Sequence, residues 1–267
     1  MFHVDLVPDH PGFHDRSYRD RRDQIARIAE AYTGDGPIPA APYSAAEHAV
    51  WRTVMTALAP QHRRFAAREV QTMLARFPLP TGHIPQLSPV SSRLCAASGI
   101  RLRPVAGLVG AREFLAALAA DTFLATQYIR HASRPWYTPE PDVIHELVGH
   151  AATLADPRIA ALSRHFGRAA LRATDDELAA IERVYWFTLE FGLVRDGGEI
   201  KAFGAGLLSS VEEIERAVTR TEHAAWDPAA IAETDYSPAD LQPLLFVAPG
   251  IEAMLRDTSA WLGRFAP

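Results

Sequence analysis

A single cysteine, Cys95, excludes an internal disulfide framework and any metal site built from several thiolates. A metal held by this chain must take its ligands from His, Asp or Glu, and Cys95 itself reads as plain core. Lysine is just as scarce: Lys201 is the only one among 27 basic residues, an arginine bias that reflects the coding genome more than function. Positive charge does not dominate, since the net charge is −5 and the sequence pI is about 6.1, which leaves no basic face for nucleic acid. Apolar runs of the ~20 residues needed to span a membrane are missing. The opening MFHVDLVPDHPGF also lacks the basic-then-apolar layout of a signal peptide. A soluble, cytoplasmic chain with no nucleic-acid and no membrane partner is expected. Strand-forming runs are few, and neither repeats nor low-complexity tracts divide the sequence.

Apolar helix is what the sequence has in quantity. Hydrophobic residues are 48% of 267, enough for a substantial core in one domain. Ile25, Ile28, Ala29 and Tyr32 mark one face between Ser17 and Thr33. Ser44 and Glu47 form a capping-box pattern, behind which Val50, Trp51, Val54 and Leu58 continue an apolar stripe predicted to stop at Pro60. Arg63 to Phe77 carries the same period, and AREFLAALAADTFLATQYIRH, with few breakers, is predicted as one helix. Thr174 with Glu177 opens a further helix, with Leu178, Ile181, Tyr185 and Leu189 on its apolar face, and this helix carries Glu190. One strand signal stands out in LVRDGGEIKAF, where Asp196, Gly197 and Gly198 supply turn chemistry between two β-compatible runs. Beyond Ser210 the pattern returns to helices and proline-rich loops. The fold class is mainly α, packed helices with a small β-hairpin element.

The stretch PEPDVIHELVGHAATLADP sets His145 and His150 five residues apart around Glu146. Helical zinc signatures space their histidines four apart, about 40° around the helix, whereas five residues at roughly 100° each turn the second histidine about 140° from the first. Pro141 suits a first helical position and Asp142 a first turn, so a helix is expected to begin just before His145. For both imidazoles to meet one ion, that helix must bulge or terminate near Gly149, a residue that tolerates unusual backbone angles. Spacing alone leaves two readings open, a pair of ligands or two ordinary half-buried histidines. VYWFTLEFGL puts Glu190 in an apolar helical segment, where a carboxylate is costly unless paired or metal-bound. Two histidines and one carboxylate make the facial triad of non-haem Fe(II) oxygenases. A salt bridge from Glu190 to an arginine such as Arg130 is the alternative.

RLRPVAGL, TQYIRH, YTPEPDVIHELVGH, YWFTLEFGL and IKAFGAGLLSS, in this order and spacing, closely resemble the pterin-dependent aromatic amino acid hydroxylases. DHPGFHDRSYRDRRDQIARIA, PIP, HIPQL and LQPLLFVA extend the similarity over nearly the whole chain. The resemblance implies one catalytic domain over 1–267. It also implies that the regulatory region and helical tetramerisation tail of animal members are absent and that the protein is a monomer of compact bacterial type. It implies Fe(II) held by His145, His150 and Glu190, with tetrahydrobiopterin or a related reduced pterin as the two-electron donor and O2 as the oxidant. Arg130 would clamp the substrate carboxylate as a bidentate fork, helped by Tyr137, Thr138 and Ser209. Trp186 would pack on the substrate ring. Phe114 would stack on the pterin, whose edge the backbone of Val105, Gly107 and Leu108 would bond. Glu146 would be the catalytic carboxylate beside the pterin and the iron-bound waters. For Phe114 and Trp186 core packing is the alternative.

The implied reaction is ring hydroxylation of L-phenylalanine to L-tyrosine, since Trp186 favours the phenylalanine or tyrosine branch. Meta hydroxylation or a tryptophan substrate are the alternatives within the family. Outside it stand a zinc hydrolase using the same triad and a non-catalytic amino-acid-binding relative. Two departures from the family pattern, Leu124 after Phe123 and Ala151-Ala152 after His150, are both expected on the pterin side.

Overall fold

A computed structural model of the chain describes residues 6, 10–138, 140–238 and 240–265. Helix α1 (Arg16–Glu30) starts where the Asp15 carboxylate accepts the Tyr18 N–H at 3.0 Å. Helix α2 (Ala45–Phe65) opens on the predicted capping box, with the Ser44 hydroxyl and the Glu47 carboxylate each accepting the other residue's N–H. It does not stop at Pro60, which lies inside it. Proline removes one helical N–H bond, and here the apolar face of Trp51, Val54, Leu58 and Phe65 holds the helix together across that loss. The break comes at Ala66 and Ala67, whose backbone is extended, with the Ala67 N–H donating to the Ala202 carbonyl at 3.0 Å. The predicted 63–77 helix is therefore split, and only α3 (Arg68–Arg76) follows the break.

After α4 (Leu87–Ser98) and β1 (Arg101–Pro104), the long helix expected from AREFLAALAADTFLATQYIRH is cut in two. Helix α5 (Ala111–Ala119) ends near Asp121, which sits in the left-handed region at φ 57°, and β2 (Thr122–Ala125) pairs in parallel with β1. The sequence period hid this because Thr122, Phe123 and Leu124 suit a strand only once a partner strand is beside them.

A π-helical turn over His145–Ala151 runs through a short α6 (Ala152–Leu154) to α7 (Pro157–Ala170). Helix α8 (Asp175–Tyr185), capped by Thr174 and Glu177 as predicted, passes directly into a second π-helical turn, Trp186–Glu190. Strands β3 (Leu193–Asp196) and β4 (Glu199–Ala202) form the expected hairpin around Gly197 and Gly198, at φ 61° and 86°, which glycine adopts without penalty. Next come α9 (Ala205–Leu208), α10 (Val211–Thr219), β5 (Glu222–Ala225), α11 (Pro228–Ala232), β6 (Leu244–Ala248) and α12 (Ile251–Leu262).

The hairpin is not isolated. It belongs to a four-stranded sheet of order β4-β3-β6-β5, with β6 parallel to both neighbours. The two strands beyond Ser210 were missed because β6, LLFVA, is a short apolar run without a period, and its pairing with β3 decides its state. The fold is mainly α as expected, with more sheet than one hairpin. One apolar cluster runs from Trp51 to Leu262; α5 packs on α7, α7 on α12, α8 on α11, and α9 against the His145–Ala151 turn. Among the described residues no helix is long and apolar enough to cross a membrane.

Candidate metal centre and its cavity

The π-helical turn resolves the five-residue histidine spacing. Where an α-helix bonds each N–H four residues back, a π turn reaches five back, so residues five apart lie one turn apart on one face. His145 and His150 stand in that relation, and their Nε2 atoms are 3.0 Å apart. The helix entering the turn begins at residue 143, with the Asp142 carboxylate accepting the His145 N–H at 3.1 Å, so Asp142 caps the helix rather than lying in its first turn. Gly149 is required for packing: a Cβ there would lie 2.6 Å from the Ala205 carbonyl oxygen and 3.0 Å from the Ala205 Cβ. Gly149→Ala is expected to destabilise the fold by about 1–3 kcal/mol through overpacking against α9. The check is thermal unfolding, and a midpoint equal to wild type would show that α9 can move away freely.

Glu190 arrives on the second π turn, where the Phe191 N–H bonds the Trp186 carbonyl five residues back at 2.8 Å. Its Oε1 is 3.0 Å from His150 Nε2 and its Oε2 is 3.4 Å from His145 Nε2. The three side chains offer one ligand atom each, all within 4.8 Å of one another. Two donors about 2.1 Å from a common ion stand about 3.0 Å apart at a right angle and about 3.4 Å apart at the tetrahedral angle. The two 3.0 Å edges have the right-angle value and the 3.4 Å edge, to the other Glu190 oxygen, the tetrahedral one, so all three side chains lie within reach of one ion.

The surroundings favour the protonation state a metal would need at His145 and at Glu190. Ser209 Oγ donates to the Ala205 carbonyl at 2.8 Å and lies 3.2 Å from His145 Nδ1, so it accepts the Nδ1–H and leaves the Nε2 lone pair directed at Glu190 and His150. Burial holds the His145 imidazolium down to about 4, so the ring is neutral. Burial also opposes a charge on His150, but the touching Glu190 carboxylate outweighs it and raises the group above its ordinary value. For Glu190 burial pushes upward, and the two imidazoles together with the Tyr185 hydroxyl hold it below the usual carboxylate range. Glu146 does not join the triad. Its Oε1 accepts the Thr126 N–H and hydroxyl, each at 2.9 Å, while burial lifts the carboxyl to about 7.

These groups open into a cavity of about 420 Å³. Val105, Gly107, Leu108 and Phe114 line it, as do Arg130, Thr138, Glu146, Trp186 and Ser209, so all but one of the sequence-predicted site residues outside the triad face one space. Tyr137 is the exception; it is buried beside the cavity with the Arg134 guanidinium over its ring. Phe114 meets Phe123 and Tyr185 edge-on, and Trp186 stacks on Tyr236 at 4.4 Å and lies 4.6 Å from Phe191. Of the two departures, Leu124 lines the cavity, whereas Ala151 and Ala152 are core residues and not part of its wall.

Arg130 is placed differently from the expectation in one respect. Its bidentate edge is already used: Nε and Nη2 donate to the two Asp142 oxygens at 2.9 and 2.8 Å, and the Arg130 N–H donates to Asp142 Oδ2 at 2.8 Å. Nη1 donates to the Ser209 carbonyl at 3.1 Å and to the Pro135 carbonyl at 3.4 Å. Asp142, not Glu190, is therefore its ion-pair partner, and of the five guanidinium N–H groups one on Nη2 remains for a ligand. Burial alone would raise the Asp142 carboxyl, but Arg130 overrides it and keeps the group below its ordinary value. The sequence reasoning missed Asp142, Thr126, Tyr185, Tyr236 and Glu213. Asp142 had a local signal as a capping acid three residues before His145, whereas the others are brought in by separate elements and carry none.

The fold and site define a class, a mainly helical domain in which two histidines and a carboxylate from two π-helical turns line a deep, largely apolar cavity. The family model for the biopterin-dependent aromatic amino acid hydroxylases matches residues 1–265, and the chain belongs to that family. It is 45% identical over 256 residues to the tyrosine 3-monooxygenase of Drosophila melanogaster, covering 94% of this chain and 44% of that protein. To the chloroplastic phenylalanine 4-monooxygenase of Chlamydomonas reinhardtii it is 48% identical over 216 residues, 80% of this chain and 59% of that one. The chain thus spans about half the length of these relatives. The phenylalanine hydroxylase of Chromobacterium violaceum, solved with bound iron (III) and 7,8-dihydrobiopterin, superposes with a TM-score of 0.80 at 27% identity, covering 91% of each chain.

Proposed function

We propose that the chain is an iron- and reduced-pterin-dependent monooxygenase that hydroxylates the ring of L-phenylalanine to L-tyrosine with O2. The observation that carries this reading is the His145, His150 and Glu190 triad opening into the same cavity as Phe114, Trp186 and Arg130. The residues fit the metal: two imidazoles and a carboxylate gathered 3.0–3.4 Å from one another are the two-histidine, one-carboxylate set of a facial iron site. Bound there with a reduced pterin, iron supplies the redox chemistry that dioxygen needs to react with a closed-shell ring.

The chain's own side chains do the rest. Ser209 fixes the His145 tautomer, and Tyr185 holds the Glu190 carboxylate. The remaining Nη2 N–H of Arg130, held in place by Asp142, receives the substrate carboxylate, and Trp186 with Phe191 gives the ring an apolar wall beside Glu190. Phe114 and the 105–108 backbone offer a flat face to the pterin, with Glu146 next to it as a carboxyl able to hold or release a proton near neutral pH. Holding ring, pterin and metal in one water-poor space is the main contribution of the protein.

Phenylalanine is the preferred substrate in this reading because the structural counterpart at TM-score 0.80 is a phenylalanine hydroxylase. Tyrosine is the second reading, supported by the 45% identity to a tyrosine 3-monooxygenase. Product chromatography after incubation with Fe(II), reduced tetrahydrobiopterin and each aromatic amino acid decides between them. The expected product from phenylalanine is para-tyrosine. Faster conversion of tyrosine to its 3-hydroxy product would move the assignment to the second reading, and absence of any hydroxylated product would remove both.

A further inference from the structure

Glu213 is a buried carboxyl that forms no ion pair among the described residues. It lies on α10, is 8% exposed, and lines the cavity with Arg130, Thr138, Ser209 and Ser210. Ser210 is its hydrogen-bonding neighbour, and among the described residues Glu213 forms no ion pair. A carboxylate taken out of water in this way is costly unless a cation reaches it. Desolvation is the dominant influence on the group and lifts it to about 7. Arg130, Arg216, Glu212 and Tyr137 are the charged and titratable groups around it, and Arg130 is committed to Asp142.

Thr138, which lines the same cavity, is an unsatisfied group: its Oγ1 is buried and has no hydrogen-bond partner among the described residues. The cavity therefore offers here one N–H donor on Arg130, the Thr138 hydroxyl and a carboxyl without an ion pair among the described residues. A carboxylate ligand alone would satisfy the first two and leave Glu213 stranded. A zwitterion satisfies all three.

We propose that Glu213 is a specificity-determining residue that receives the α-ammonium of the substrate, so that the site selects free α-amino acids over deaminated or N-acylated analogues carrying the same ring. The inference rests on the aromatic amino acid reading of this cavity. Arg130 and Glu213 divide the head group between them, and the ammonium supplies the cation that no described residue gives Glu213 as an ion pair.

The test is anaerobic calorimetric titration of the iron-loaded protein with L-phenylalanine and with 3-phenylpropanoate, which lacks only the ammonium. Glu213→Gln is expected to weaken phenylalanine binding roughly 10- to 150-fold, the range of one charge-assisted hydrogen bond, while leaving 3-phenylpropanoate unchanged or tighter. Glu213→Asp, which keeps the charge on a shorter arm, should recover part of the preference for phenylalanine. Equal weakening of both ligands in Glu213→Gln would make Glu213 a support for α10 and overturn the proposal. Unchanged phenylalanine affinity would also overturn it. If the wild type binds neither ligand, the reading of the cavity as an amino acid site fails along with it. If the wild type binds phenylalanine but yields no hydroxylated product, only the proposed reaction fails, and the comparison of variants still decides the role of Glu213.

Discussion

His150→Ala is expected to purify folded but with its iron lost and its hydroxylation reduced to background. His150 Nε2 is 3.0 Å from both His145 Nε2 and Glu190 Oε1, so its removal takes away one corner of the triad and the neighbour shared by the other two. Changing a residue that merely orients a ligand typically costs 10–100-fold in metal affinity, and losing the ligand itself should exceed that. The fold should persist because the turn bearing His150 is held by Leu147, Val148, Ala151 and Ala152, all in the main apolar cluster. His145→Ala and Glu190→Ala should behave alike. Metal analysis beside circular dichroism checks the result; full iron content with wild-type turnover in any one variant would remove that residue from the ligand set.

Asp142→Ala should be the most destabilising change outside the ligands. Arg130 and Asp142 are both buried, with side chains 2% and 1% exposed, and the single carboxylate also accepts the backbone N–H groups of Arg130 and His145. Removing one member of a buried pair leaves the other charge uncompensated at a cost of about 3–5 kcal/mol. For a chain of this size each kcal/mol lowers the midpoint by about 2–4 °C, so a fall of roughly 6–20 °C is expected. The pH dependence has a definite sign. The Asp142 carboxyl is depressed in the folded state, so the wild type gains stability from it at neutral pH and loses that gain as acid protonates the group, whereas Asp142→Ala should lack this loss. A variant melting within a degree or so of wild type would show that Arg130 finds another partner or a path to water.

Local chemistry in the sequence determined a good deal. The two capping boxes and the Gly197-Gly198 hairpin form as read, because side chains a few residues apart decide them without help from the rest of the chain. The need for a bulge near Gly149 was legible from the angle between His145 and His150, and the π-helical turn meets it. Glu190 was legible because an acid in an apolar run needs a partner.

Tertiary contact decided the rest. Whether Thr122–Ala125 extends a helix or forms a strand depends on β1, and whether LLFVA becomes a strand depends on β3. No local period carries that information. The partner of Arg130 depended on which acid the fold brought to it, and it brought Asp142 rather than Glu190. Glu213 resembles any acid in the first turn of an amphipathic helix until packing places it against the cavity. Sequence thus set the residue types and the local turns, while the meeting of separate elements assigned each buried charge its partner, because the energy of a buried charge depends on what surrounds it in space.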